Sequence, residues 1–264
     1  MIKPVEFTYQ NGKTQNGEKS WSENNSQTLP IPIMNSSIDQ GVRFGDINGD
    51  GLVDAVRAYS AGSAQGWAYL RNKNGGWDEN ATWNASLQNA LVQMNAVFAS
   101  SGASPDYGDW GLRLVDLNAD NKADLFVSRQ DYSWPCNGYA GFNQQIWLNN
   151  DNGWTRDANW QIDPNMVFTS FENVQCGGGT YGFRDQGLRM ADINGDGYVD
   201  LIYGRGGDSG SLYRVYLNVK RADNGRTWQE SSTWTSAYQS TGLPFTWWWN
   251  GQGSIDEGVQ VLDV

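Results

Sequence analysis

The sequence predicts an all-β fold: a β-propeller of four-stranded antiparallel blades, with three complete repeats and a split fourth. Three observations carry this expectation. One acidic segment occurs three times in full and begins a fourth time, at intervals of roughly 70 residues. Each copy is flanked by short runs in which apolar residues alternate with polar ones, the period of a strand with one face inward. Each copy is also followed by an aromatic run and a pair of tryptophans at a fixed spacing, so the whole unit repeats, not the acidic part alone.

The elements follow in order over a single domain, 1–264. Residues 1–38 read as the back half of a blade, with Phe7-Thr8-Tyr9, turn signals at Asn11-Gly12 and Asn16-Gly17, and Trp21. Repeat one is 39–108, repeat two 109–184 and repeat three 185–255, and 256–264 starts the split blade. The first strand of each repeat alternates Val42/Phe44, Leu112/Leu114 and Leu188/Met190 with Arg43, Arg113 and Arg189. Second strands are expected at Val53–Val56, Ala123–Val127 and Val199–Tyr203, short runs rich in β-branched and aromatic residues. Third strands are expected at Trp67–Leu70, Ile146–Leu148 and Val215–Leu217. A fourth opens at Trp77, Trp154 and Trp228, each followed by a second tryptophan at Trp83, Trp160 and Trp234. Four short antiparallel strands per repeated unit is the propeller pattern. Leu87–Val97 has helical spacing but is read as connector.

Between the first and second strands lies D-x-N-x-D-x-x-x-D. Side-chain oxygens fall at positions 1, 3, 5 and 9, and a backbone carbonyl at position 7 completes the set. Three carboxylates and an amide in nine residues repel one another without a cation. Hard cations take six to eight such oxygens in a flexible cage. About three Ca²⁺ ions are therefore expected. Their ligands are Asp46, Asn48, Asp50, Leu52 and Asp54; then Asp116, Asn118, Asp120, Lys122 and Asp124; then Asp192, Asn194, Asp196, Tyr198 and Asp200, with Leu52, Lys122 and Tyr198 giving carbonyls. Loop two lacks the glycines of the others and carries Ala119 and Asn121. The alternative is an Asx-rich turn with no metal. An EF-hand would need Glu at position 12 and helical flanks, and neither is present.

Composition excludes other chemistries. There is no histidine, hence no imidazole base and no His-ligated zinc. Lys and Arg total 18 against 29 Asp and Glu, a formal charge of −11, which disfavours nucleic acid and anionic membranes as partners. No apolar run is long enough to span a bilayer. The N-terminus, MIKPVEFTYQ, is not a signal peptide by pattern. Asn24, Asn35, Asn80 and Asn84 head N-x-S/T sequons, relevant to a secreted eukaryotic protein.

On these loops the chain resembles the FG-GAP/VCBS repeat family, whose members include the integrin α-subunit propeller, fungal lectins and propeller parts of bacterial Rhs and toxin-complex proteins. Phe44-Gly45 suits the family name, while Leu114-Val115 and Met190-Ala191 depart from it. The resemblance implies calcium bound structurally between the first two strands of a blade, no catalytic residues, and an extracellular or cell-surface location. Its strand order puts the calcium loops on one face and the long connectors on the other, where a glycan or protein ligand is expected. Trp247, Trp248 and Trp249 are the candidate ligand platform, the alternative being packing between blades. Cys136 and Cys176 fall on that same face, and a disulfide between them is expected, the alternative being two free thiols. Three functions compete: a calcium-stabilised adhesion or carbohydrate-binding module, a structural segment of a larger surface or toxin protein, and a glycan-processing enzyme. The terminal blade lacks a second strand. An imperfectly closed four-bladed ring, a piece of a longer array and two chains completing one ring all satisfy this.

Overall fold

A computed structural model describes residues 12–13, 19–20, 28–36, 38–100, 108–132, 139–172, 182–208, 210–249 and 253–256. Two short hairpins come first, β1 (Gly12–Lys13) with β2 (Lys19–Ser20) and β3 (Met34–Asn35) with β4 (Ile38–Asp39). Repeat one follows as β5 (Val42–Gly45), β6 (Asp54–Ser60), β7 (Ala64–Arg71), β8 (Trp77–Glu79), α1 (Ala81–Met94) and β9 (Ala99–Ser100). Repeat two is β10 (Leu112–Val115), β11 (Asp124–Tyr132), β12 (Tyr139–Asn149), β13 (Trp154–Asp157), β14 (Thr169–Glu172) and β15 (Gly182–Asp185). Repeat three is β16 (Leu188–Ala191), β17 (Asp200–Gly207), β18 (Leu212–Lys220), β19 (Arg226–Glu230), α2 (Ser232–Gln239), β20 (Thr246–Trp249) and β21 (Gly253–Asp256).

Each repeat is an antiparallel four-strand meander, β5-β6-β7-β8, β10-β11-β12-β13 and β16-β17-β18-β19. The fold is mostly β, with antiparallel sheets as the alternation predicts. The second strands run longer than the sequence reading gave them. Their far halves take a further partner: β9, β14 and β20 return from the connectors and pair in parallel with β6, β11 and β17. Among the described residues the three sheets do not close into a ring.

The turn into each first strand shows why the repeated motif is D-x-G-x-R. Asp39, Asp109 and Asp185 accept the N–H of Gly41, Gly111 and Gly187 at 2.8, 2.8 and 2.7 Å. Those glycines have φ of +68°, +72° and +80°, and a Cβ on any of them would strike a carbonyl of the adjacent second strand. The same aspartates form two-pronged ion pairs with Arg43, Arg113 and Arg189, whose guanidinium groups lie over Phe98, Phe168 and Phe245.

Two main cores fill the spaces between sheets. Along β11, Leu125 and Val127 face the first repeat while Phe126 faces the third, so a period-two strand is buried on both sides. The tryptophan pairs span the same spaces. Trp83 meets Trp154 edge-on at 4.8 Å, and Trp160 meets Trp228 at 4.9 Å, so the second tryptophan of one repeat packs on the first of the next.

The helices correct the sequence reading. α1 covers most of the stretch assigned to a connector. Asn80 caps it, accepting from the N–H groups of Thr82 and Trp83, and Trp83, Leu87, Leu91 and Met94 are buried along one face. α2 is capped by Ser231 and buries none of its residues.

Candidate metal centres

Each acidic loop leaves a short first strand and enters a long second one; loops one and three differ only at position 7, and loop two takes closely the same shape with a different sequence. The position-1 aspartate accepts backbone N–H groups on both oxygens. Gly49 and Gly51 donate to Asp46 at 2.7 and 2.8 Å; Asp120 and Asn121 to Asp116 at 3.2 and 2.8 Å; Gly195 and Gly197 to Asp192 at 2.8 Å each. The Oδ1 of Asn48, Asn118 and Asn194 accepts the N–H of Asp50, Asp120 and Asp196 at 3.0, 3.1 and 2.9 Å. Those aspartates in turn accept the N–H of Leu52, Lys122 and Tyr198 at 2.8, 2.9 and 2.9 Å. Ala119 and Asn121 hold φ of +62° and +65°, the left-handed region glycines take in the other loops. Loop two thus pays a conformational cost that loops one and three avoid.

Position 9 plays a different part. Asp54, Asp124 and Asp200 are fully buried, and each bridges two backbone N–H groups. One comes from its own loop, at Ile47, Leu117 and Ile193, at 3.0, 2.9 and 3.0 Å. The other comes from the third strand, at Arg71, Asn149 and Asn218, at 2.7, 2.7 and 2.8 Å. Burial raises the pKa of all three, and nearby loop carboxylates add to the rise. For Asp124 it reaches about 7, the backbone N–H groups opposing.

Among the described residues no three carboxylates are gathered at separations that would hold a metal. The reason lies in these hydrogen bonds: position 9 is drawn toward the third strand, and the Asn48, Asn118 and Asn194 amides donate to position 5 at 3.1, 3.1 and 3.0 Å. The donor set nonetheless fits a hard cation. A carboxylate has about four lone-pair sites, and those at positions 1 and 9 use roughly two. The carbonyls of Leu52, Lys122 and Tyr198 accept no hydrogen bond among the described residues.

Position 7 differs in its side chain. The Lys122 ammonium pairs with Asp151 and its stem lies against Gly49 of loop one. Arg226 lies over the Tyr198 ring at 3.5 Å and donates to Asn218.

Sequence reasoning missed the groups that tie the loops together. Asn149 Nδ2 donates to the Ile47 carbonyl at 2.8 Å, and Asn218 Nδ2 to the Leu117 carbonyl at 3.2 Å. The Ala123 N–H donates to the Asp46 carbonyl at 2.7 Å. The signal was present: an Asn follows the aromatic-Leu dipeptide in repeats two and three, with Arg71 in its place in repeat one.

The tryptophan triplet lies in β20, within the third sheet, and Trp247 packs against Gly206. That contact joins paired strands of one sheet and is not packing between blades. The side chains of Trp248 and Trp249, and both Cys136 and Cys176, lie outside the described residues. No described helix is long and apolar enough to cross a membrane.

No family model matches the sequence, and no curated protein matches it. Among solved structures the chain is similar to part of the Photorhabdus luminescens Tc holotoxin pore, at 14% identity and a TM-score of 0.24. That match covers 86% of this chain and 10% of the toxin chain, so this chain spans about a tenth of that protein's length. A likeness at this score carries no structural argument.

Proposed function

We propose that this chain is a calcium-stabilised β-propeller of the FG-GAP/VCBS kind, acting as a non-catalytic binding module for a glycan or protein at the cell surface or outside the cell. The observation that carries the reading is that loop two, with Ala119 and Asn121 in place of the glycines, keeps the hydrogen-bonded shape of loops one and three, and that all three leave the same carbonyl without a partner among the described residues. A turn required only to reverse the chain does not need three carboxylates in each copy. Calcium, when bound, supplies the positive charge that offsets their repulsion. Asp46, Asn48, Asp50 and Asp54, and their counterparts in the other loops, would hold it, with the Leu52, Lys122 and Tyr198 carbonyls.

Asn149 and Asn218 stitch each acidic loop to the next, and the proposed ligand face is the opposite one, where the long connectors are expected. Ring closure, by the chain's own termini or by a second copy, belongs to this proposal. A glycan array probed with and without EDTA tests the binding role. Calcium-dependent retention of a defined glycan supports it. No retained glycan and no protein ligand, in a chain that does bind calcium, leaves only a structural segment of a larger protein.

A further inference from the structure

The connectors after the fourth strands differ, and the difference opens a groove. In repeat one the connector folds as α1 and fills the space between the first two sheets. Asn143 Nδ2 donates to the Met94 carbonyl at 2.6 Å, Arg129 Nη1 donates to the Asn95 carbonyl at 3.2 Å, and the Trp154 N–H donates to Ser86 Oγ at 2.8 Å. In repeat two residues 158–168 contain no helix. The corresponding space between the second and third sheets is a groove of about 730 Å³, within the usual range for a ligand site. Gln130 and Arg205 line it near the far ends of β11 and β17, the ends opposite the acidic loops.

Strand register shows what the open space exposes. Tyr203 is the counterpart of Val127, and Arg214 and Tyr216 are the counterparts of Gln145 and Trp147. Two tyrosines thus stand where the filled gap has Val127 and Trp147. The hydroxyls of Tyr203 and Tyr216 have no protein partner among the described residues. Burial raises the Tyr216 phenol to about 12 and the Tyr203 phenol also, so both are protonated donors at neutral pH. The lining charges balance, Arg205 and Arg214 against Asp163 and Glu230, and Arg214 is already paired with Glu230 at 2.7 Å.

We propose that this groove between the second and third sheets binds a neutral saccharide, with Tyr203 and Tyr216 as its hydroxyl-recognising residues. A charge-balanced wall gives a net-charged ligand no advantage. A hydroxyl-rich ring with one apolar face meets both the amide and phenol groups and the aromatic surfaces. This rests on the binding-module reading and moves its ligand away from the tryptophan triplet.

The test is a panel of neutral oligosaccharides on the calcium-loaded protein, followed by calorimetric titration of the one best retained. Tyr203→Phe and Tyr216→Phe keep size and shape and remove only unpartnered hydroxyls, so their melting temperatures stay at the wild-type value. Each is expected to weaken binding about tenfold, in line with losing one hydrogen bond to a ligand, while Trp247→Ala leaves affinity unchanged. Unchanged affinity in the double tyrosine variant, or loss confined to Trp247→Ala, overturns the groove and leaves the binding module standing. Retention of no neutral saccharide also overturns it, and calcium dependence of melting in the same samples shows separately whether the metal reading survives. Equal loss of a charged glycan or a peptide in the tyrosine variants would overturn the assignment to neutral saccharide.

Discussion

Asp124 carries the sharpest electrostatic consequence of a single residue. Its folded pKa is about 7 against the usual 3.8, with burial as the first cause. The folded chain therefore holds this proton where the unfolded chain has lost it, and stability without metal falls as pH rises from about 4 to 7. Asp54 and Asp200 shift in the same direction. In EDTA the melting temperature should be higher at pH 5 than at pH 8, the Asp124 contribution over that interval being on the order of 3 kcal/mol. Calcium should reverse that order, because the cation needs ionised carboxylates. A scan at both pH values, with and without calcium, checks this. Gly187 offers a backbone test. With φ at +80° and the Gly204 carbonyl in the way of any Cβ, Gly187→Ala should cost at least about 2 kcal/mol in urea unfolding.

At the scale of elements, the sheets were legible because alternation at Val42, Phe44, Leu112, Leu114, Leu188 and Met190 matches the pleat, and the turn residues fall where the strands end. The return strands β9, β14 and β20 were not legible. Ala99–Ser100 is too short and too plain to announce itself, and it pairs with Tyr59 and Ser60 in the far half of β6, beyond the reach of β5. α1 was underread for a related reason. Asn80 and the spacing of Trp83, Leu87 and Leu91 do mark a capped amphipathic helix, but repeat two has no such element at the corresponding place. The loops could be placed by spacing, whereas the inward pull on position 9 needs the third strand, whose N–H groups lie far away in sequence. The Asn149 stitch is the element-scale prediction. Asn149→Ala leaves the Ile47 carbonyl without its side-chain donor and should destabilise by about 1–3 kcal/mol. Because the stitch joins adjacent repeats, hydrogen exchange should rise in loop one as well as around β12.

At the scale of the molecule, the repeat-to-repeat contacts have an open end among the described residues. Trp83 and Trp160 are buried against the next repeat, but Trp234, their counterpart, is 38% exposed. The first hairpin pairs Gly12 with Ser20 and Lys13 with Lys19. Its sequence puts Asn11 and Trp21 at the same separation as Asn218 and Trp228. If the N-terminal segment completes the ring, Trp21→Ala and Trp234→Ala should each lower the melting temperature, and the double variant should lose less than the sum. Additive losses would separate the two residues. Calcium content with thermal unfolding on one preparation is the most direct measurement on the acidic loops. Equilibrium dialysis should find about three Ca²⁺ per chain, and EDTA should lower the melting temperature and open the three loops to protease. No bound calcium, with melting and cleavage unchanged by EDTA, would contradict the account.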